Sequence, residues 1–185
     1  MNATIASTLR VYDDQHPAQP LVETTDRAEI AEILGNAGVI FEQWRADAPL
    51  DASSDQDAIL RAYARDITRL REQYGYTTSD VLRVGPSTPN IPAMREKFLS
   101  EHTHAEDEVR FFVEGSAAFY LRIGGKVYQT ICTRGDLISV PAGTTHWFDM
   151  GPEPEFAVIR LFINPEGWVA QYTGDPIASR FPKFE

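Results

Sequence analysis

The chain has 185 residues, 43% of them hydrophobic and 24% charged, which suits one domain with a substantial core; no apolar run approaches the roughly 20 residues of a membrane span. Its formal net charge of -10 opposes binding to phosphate backbones and anionic membranes, so neither nucleic acid nor a membrane is an expected partner. A single cysteine, Cys132, allows no internal disulfide, and Met1 to Arg10 lacks a basic flank followed by an apolar stretch, so no secretory signal and a cytoplasmic location are expected.

Thr8 to Tyr12 reads as a short strand, Asp26 to Leu34 as a helix with Asp26 as N-cap and Gly35 near its end, and Val39 to Trp44 as a strand. Asp55 to Tyr74 predicts one helix, because Ile59, Tyr63, Ile67, Leu70 and Tyr74 recur at three- and four-residue spacing and set a buried face. Arg61, Arg65 and Arg69 form a basic stripe on it, but Asp57 lies one turn before Arg61, which favours a solvated ion-pair face over a binding surface. Val81 to Val84 reads as a strand, Gly85-Pro86-Ser87-Thr88-Pro89 breaks the pattern, and Ile91 to Phe98 reads as a short helix.

From Glu108 the chain changes character. Short strands are predicted over Glu108 to Val113, Ala117 to Ile123, Lys126 to Cys132, Leu137 to Val140, His146 to Asp149 and Phe156 to Ile163. Turn signals at Glu114-Gly115, Gly124-Gly125, Arg134-Gly135-Asp136 and Gly151-Pro152 separate them, the signature of an all-β barrel or sandwich. The fold class expected is mainly β with attached α-helices, an antiparallel β-barrel. Residues 1–185 are expected to form a single domain, with a helix-rich N-terminal half over 1–100 and the barrel motifs in 101–163. The tail from Tyr172 to Glu185, with Phe181 and Phe184, is expected to pack back on the body.

Three of the four histidines and one glutamate stand in a metal-ligand pattern: His102, His104, Glu108 and His146. On a strand, His102 and His104 leave the same face. Six extended residues would carry Glu108 roughly 20 Å from His102, too far to share an ion bound at about 2.1 Å. The chain therefore has to turn at Ala105-Glu106-Asp107, with both histidines at one strand end and Glu108 at the start of the next. His146, just past a proline-glycine turn, then supplies a fourth ligand from a neighbouring strand. Three imidazoles and a carboxylate in an octahedral site leave two open positions, which suits iron(II), nickel(II) or manganese(II) and a bidentate substrate. A closed structural zinc site usually recruits cysteine, and the only cysteine lies outside this group. Glu106 and Asp107 read as solvated turn acids, and His16 as a surface histidine.

Arg110 lies two residues after Glu108 and so on the same inward face, where its donor fork can hold a bidentate oxyanion beside the ion; the alternative is an ion pair with a neighbouring acid. Phe112 continues that face, and Phe148 follows His146 by two and should face inward as a wall. Along Phe156, Val158, Arg160 and Phe162, parity puts Arg160 among apolar residues, where it needs an internal carboxylate or a substrate as partner.

At these residues the sequence resembles the cupins. Their first motif, Gly-x5-His-x-His-x3-Glu-x6-Gly, is met by His102, His104, Glu108 and Gly115, and their second, Gly-x5-Pro-x-Gly-x2-His-x3-Asn, by Gly135, Pro141, Gly143 and His146. Glu96 stands in place of the first glycine and Met150 in place of the asparagine. More closely, the chain resembles the acireductone dioxygenase family of methionine salvage. The likeness runs over essentially all of the chain, including the helix-rich N-terminal half, Phe98 to His104, Glu108 to Phe112, Pro141 to Phe148, Arg160 to Phe162 and Trp168.

The resemblance implies a jelly-roll barrel with one iron(II) or nickel(II) ion per chain on His102, His104, Glu108 and His146. It implies dioxygen-dependent cleavage of 1,2-dihydroxy-5-(methylthio)pent-1-en-3-one, whose dianion Arg110 and Arg160 would balance while Phe98, Phe148 and Trp168 wall its thioether tail. With iron the family yields 4-methylthio-2-oxobutanoate and formate; with nickel, 3-methylthiopropanoate, formate and carbon monoxide. The expected partners are the small substrate and dioxygen, and the expected state is a monomer. A different cupin metalloenzyme and a non-catalytic binding cupin are the alternatives. Arg110, Arg160 and the N-terminal half disfavour the first, and the complete ligand set disfavours the second. Gly124-Gly125-Lys126 lacks P-loop spacing, and Cys132 reads as a small buried residue.

Overall fold

A computed structural model describes residues 4–164, 166 and 169–185, so Trp168 lies outside the described residues. The described strands are β1 (Thr8–Asp13), β2 (Val22–Thr24), β3 (Ile40–Gln43), β4 (Thr78–Val84), β5 (His102–Thr103), β6 (Glu108–Ile123), β7 (Lys126–Thr133), β8 (Asp136–Val140), β9 (Thr145–Asp149), β10 (Phe156–Phe162) and β11 (Gln171–Tyr172). The helices are α1 (Arg27–Asn36), α2 (Gln56–Ala62), α3 (Ala64–Tyr74) and α4 (Ile91–Leu99). All strand pairings are antiparallel.

Two sheets share β6. One runs β11-β5-β9-β6-β7-β1-β2; the other carries β3 on β8, β8 and β10 on β6, and β4 on β10. The two predicted strands on either side of Glu114-Gly115 are therefore one long strand that passes from sheet to sheet. Its first half, Glu108 to Phe111, pairs with β8, and its second half, Ser116 to Ile123, with β7. Gly115 (φ 71) makes the corner, and the β6–β10 register shifts between Ala157 and Val158 beside it. A Cβ at Gly115 would lie 2.0 Å from the Glu155 carbonyl oxygen. Gly115→Ala should thus lower stability by about 3 kcal/mol through backbone strain and overpacking, measured as a shift of the urea unfolding midpoint; an unshifted midpoint would show that the corner tolerates a side chain.

The predicted helix over Asp55 to Tyr74 is two helices that meet at Tyr63 (φ -109, ψ 16). The break coincides with the Tyr63 ring packing edge-on against Phe111 of β6, 5.3 Å between centroids. Ile59, Tyr63, Ile67 and Leu70 are buried on the outer face of the second sheet, beneath which lie Val109, Phe111, Ala157, Ile159 and Leu161. Tyr74 departs from the predicted buried face, at 37% exposure. Arg69 of the basic stripe lies over the Trp44 ring, 4.6 Å from its centroid. At α1 the predicted cap is present, Asp26 accepting from the backbone N–H groups of Ala28 and Glu29.

Between the sheets lies a core of Leu9, Val11, Phe41, Phe112, Phe119, Phe148, Phe156 and Val158, with α1 and α4 closing its edges. The C-terminal tail returns over the outer face of the first sheet, burying Ile177 and Phe181 against Tyr12, Tyr120 and Trp147. Its end is fixed by an ion pair whose carboxylate is buried. Arg95 of α4 forks onto Asp149 of β9 at 2.7 and 3.1 Å, and Phe184 donates its N–H to Asp149 and accepts from Arg95. Thus α4 is tied at one point to the strand that carries His146 and to the tail. No helix among the described residues is long and apolar enough to cross a membrane.

Candidate metal centre

The four residues singled out by spacing converge at one end of the barrel. His102 lies on β5 and His104 one residue beyond it, Glu108 opens β6, and His146 sits on β9 directly opposite His102 in the ladder. All four are buried. The required turn is present between His104 and Glu108, and its acids serve as backbone anchors. Glu106 accepts from the N–H groups of Ile163 and Asn164, and Asp107 accepts from Ala142 N–H at 2.9 Å. Gly143 N–H donates to the His104 carbonyl at 2.9 Å. The two histidine motifs are therefore fastened to each other through the proline-glycine turn. His16 pairs with Asp13 at the surface, away from the cluster.

One potential ligand atom from each of His102, His104 and His146 falls within 4.8 Å of the others. Glu108 Oε2 lies 2.7 Å from His146 Nε2 and 3.4 Å from His104 Nε2. Donors bound to one ion at about 2.1 Å and at right angles stand about 3 Å apart, so these separations fit a shared ion. Ring orientation is set from behind. The Nδ1 atoms of His102 and His146 face the carbonyls of Ser100 and Thr144 at 2.7 and 2.8 Å, which accept the Nδ1 protons and leave each Nε2 lone pair for a metal. The Val169 backbone acts on His104 in the same sense, opposing the effect of burial on its pKa. These backbone acceptors have no sequence signature beyond standing two residues before a histidine in two cases.

Burial pushes the His102 pKa down to about 4 and lowers that of His104, so both are neutral, the state in which imidazole ligates. Burial would raise the Glu108 carboxyl, but Arg110, His146 and His104 outweigh it and hold the group ionised, below its usual range. The same carboxylate outweighs burial at His146 and raises that pKa. An anionic carboxylate among neutral imidazoles is a donor set for a divalent cation, and an ion there would displace any proton from His146.

Arg110 is buried and donates to Glu108 Oε1 at 2.7 Å, leaving Oε2 toward the histidines. Its guanidinium lies 4.6 Å from the Phe148 ring centroid and 5.3 Å from that of Phe119. Directly across the β6–β10 ladder stands Arg160, whose side chain is 28% exposed. The internal carboxylate that parity demanded for it is Asp80 of β4, forked onto it at 2.7 and 2.5 Å. Phe98 of α4 meets Phe148 edge-on at 5.7 Å. The structure so brings together the four donors, Arg110, Phe98 and Phe148, with Arg160 adjoining Arg110. Cys132 is free and buried, and burial pushes its thiol pKa well up, which suits an inert core residue.

A family model described as the ARD/ARD' family matches residues 8–170. The chain is 58% identical to the acireductone dioxygenase of Parvibaculum lavamentivorans over 177 residues, 96% of each chain. It is 54% identical to that of Hahella chejuensis over 179 residues, covering 97% of this chain and 96% of the other. Its structure is similar to that of the acireductone dioxygenase of Bacillus anthracis with a cadmium ion in the active centre, with a TM-score of 0.80 and 27% identity over 92% of this chain and all of the other. The chain therefore belongs to the ARD/ARD' family, the acireductone dioxygenases, and its fold is the cupin jelly-roll barrel.

Proposed function

We propose that the protein is a metal-dependent acireductone dioxygenase that cleaves 1,2-dihydroxy-5-(methylthio)pent-1-en-3-one with dioxygen in methionine salvage. The observation that carries this reading is the convergence of three buried histidines with Glu108 Oε2, with Arg110 bonded to that carboxylate's other oxygen. His102, His104, Glu108 and His146 would hold one iron(II) or nickel(II) ion. When bound, such an ion would supply a Lewis acid that favours the deprotonated form of the enediol.

The remaining work falls to the side chains. Arg110 fixes one oxygen of Glu108 and sets positive charge beside the reacting end of the substrate, in surroundings where that charge is strongly felt. Arg160 stands across the ladder from Arg110 and is neutralised by its fork onto Asp80, so it braces that strand and adds little net charge to the site. Phe98 and Phe148 exclude water and receive the apolar portion of the substrate, a role also assigned to Trp168. The buried lone cysteine fits a reducing cytoplasm, and the net charge of -10 disfavours nucleic acid and anionic membranes as partners; the proposed working form is a monomer acting on a small molecule and dioxygen.

Metal-free protein reloaded separately with iron(II) and nickel(II) and given the enediol should consume dioxygen in both forms. Formate and 4-methylthio-2-oxobutanoate are expected with iron, and 3-methylthiopropanoate, formate and carbon monoxide with nickel only; the same imidazole and carboxylate donors serve both ions, so one metal-free preparation can be loaded with either. No dioxygen uptake with either ion would overturn the assignment.

A further inference from the structure

A cavity of about 860 Å³ lies against α4, lined by Ala93, Met94 and Phe98, by Pro89 and Asn90 at the start of that helix, and by Tyr172 of β11; the rest of its wall is polar or charged. Its size is that of a small-molecule site. Asn90, Met94 and Phe98 are four residues apart and form one stripe on the helix, roughly 12 Å from end to end. At the inner end of that stripe Phe98 packs edge-on against Phe148 at 5.7 Å, and Phe148 underlies Arg110, so the stripe ends one side chain from the metal centre. The opposite wall reaches that centre: the Tyr172 ring centroid is 5.9 Å from that of His102, while 52% of Tyr172 stays exposed. Arg95, bound to Asp149 and to Phe184, holds α4 in place, so the groove is pre-formed.

We propose that this groove takes the apolar tail of the enediol, and that Ala93, Met94 and Tyr172 set which tail lengths the enzyme accepts. The proposal rests on the dioxygenase reading above. With the enediol oxygens at the histidine-glutamate cluster, the tail leaves along Phe98 and Tyr172 and lies on the α4 stripe. Each further methylene then sheds water against Ala93, Met94 and Tyr172. Full burial of a methylene is worth about 4-fold in binding, and half-burial in an open groove about 2-fold.

The test is kcat/KM of the iron-loaded protein on enediols with methyl, propyl, pentyl and heptyl tails, with Ala93→Trp and Tyr172→Ala beside the parent chain. Ala93 and Tyr172 are both exposed, which spares the core. Specificity should rise about 2- to 4-fold per methylene until the groove is filled. Ala93→Trp should cut the heptyl-to-methyl ratio about 10-fold, and Tyr172→Ala should lower the same ratio. A second readout is the Met94 methyl signal in methionine-labelled, zinc-loaded protein kept free of dioxygen. It should shift with the heptyl enediol and not with the methyl one, while Met150, buried in the core, stays in place. Turnover with a flat tail series, or a ratio that neither substitution moves, would overturn this proposal alone. Absence of turnover at every tail length would overturn the dioxygenase reading, and this proposal with it.

Discussion

Glu108→Ala is expected to strip the metal from the protein, abolish dioxygen uptake and lower the stability of the metal-free chain by roughly 3–5 kcal/mol, the cost of breaking a buried ion pair. The effect is large because one carboxylate serves both the histidine cluster and Arg110. Its Oε1 accepts from Arg110 at 2.7 Å, and its Oε2 stands 2.7 Å from His146 and 3.4 Å from His104. Removing it takes a ligand from the cluster and, in the same step, the anion from a buried guanidinium. Glu108→Gln separates the two consequences. It keeps the shape and an acceptor for Arg110 but removes the charge, so the metal should still be lost while much of the stability returns. Metal content after dialysis and urea unfolding of both variants check this. Stoichiometric metal retained by Glu108→Ala would remove Glu108 from the ligand set.

This cluster was legible in the sequence because its spacing obeys hard geometry. A two-residue step keeps His102 and His104 together, and the extended reach of six residues forces the turn before Glu108. Parity also required a partner for Arg160, but not its identity. Asp80 was out of view because β4 begins at Thr78, three residues before the stretch Val81 to Val84 that announces it. Strands β5 and β11 have two residues each, too few for any period, although the pairing of His102 with Tyr172 brings the tail to the metal centre. Glu114-Gly115 reads as a turn because glycine usually marks one. In the fold, the left-handed backbone of Gly115 bends a strand that continues. Periodicity likewise carried through Tyr63, since the residues on either side keep the same buried face across the break. The acids of the turn show the remaining limit. Glu106 and Asp107 read as solvated, but their backbone partners at Ala142, Ile163 and Asn164 are far along the chain, and a local pattern does not reveal them.

Arg110→Met should leave the ion in place, with affinity weakened by about 10- to 100-fold, and should lower kcat/KM for the enediol by about 10²- to 10³-fold when the variant is saturated with metal. Charge in a dry site sets the size of the effect. A divalent ion, the Glu108 carboxylate, the Arg110 guanidinium and an enediolate dianion sum to neutrality, while Arg160 and Asp80 cancel each other. Without Arg110 the assembled site carries an uncompensated negative charge among Phe98, Phe119 and Phe148, where water cannot screen it. The penalty grows as the substrate gives up its protons, so it falls mainly on turnover and less on metal retention. Arg110→Lys restores the charge without the donor fork, and should recover part of the rate while leaving Glu108 less firmly oriented. Unchanged turnover in metal-saturated Arg110→Met would show that the guanidinium only braces the carboxylate, and the balance of charge would then have to come from elsewhere.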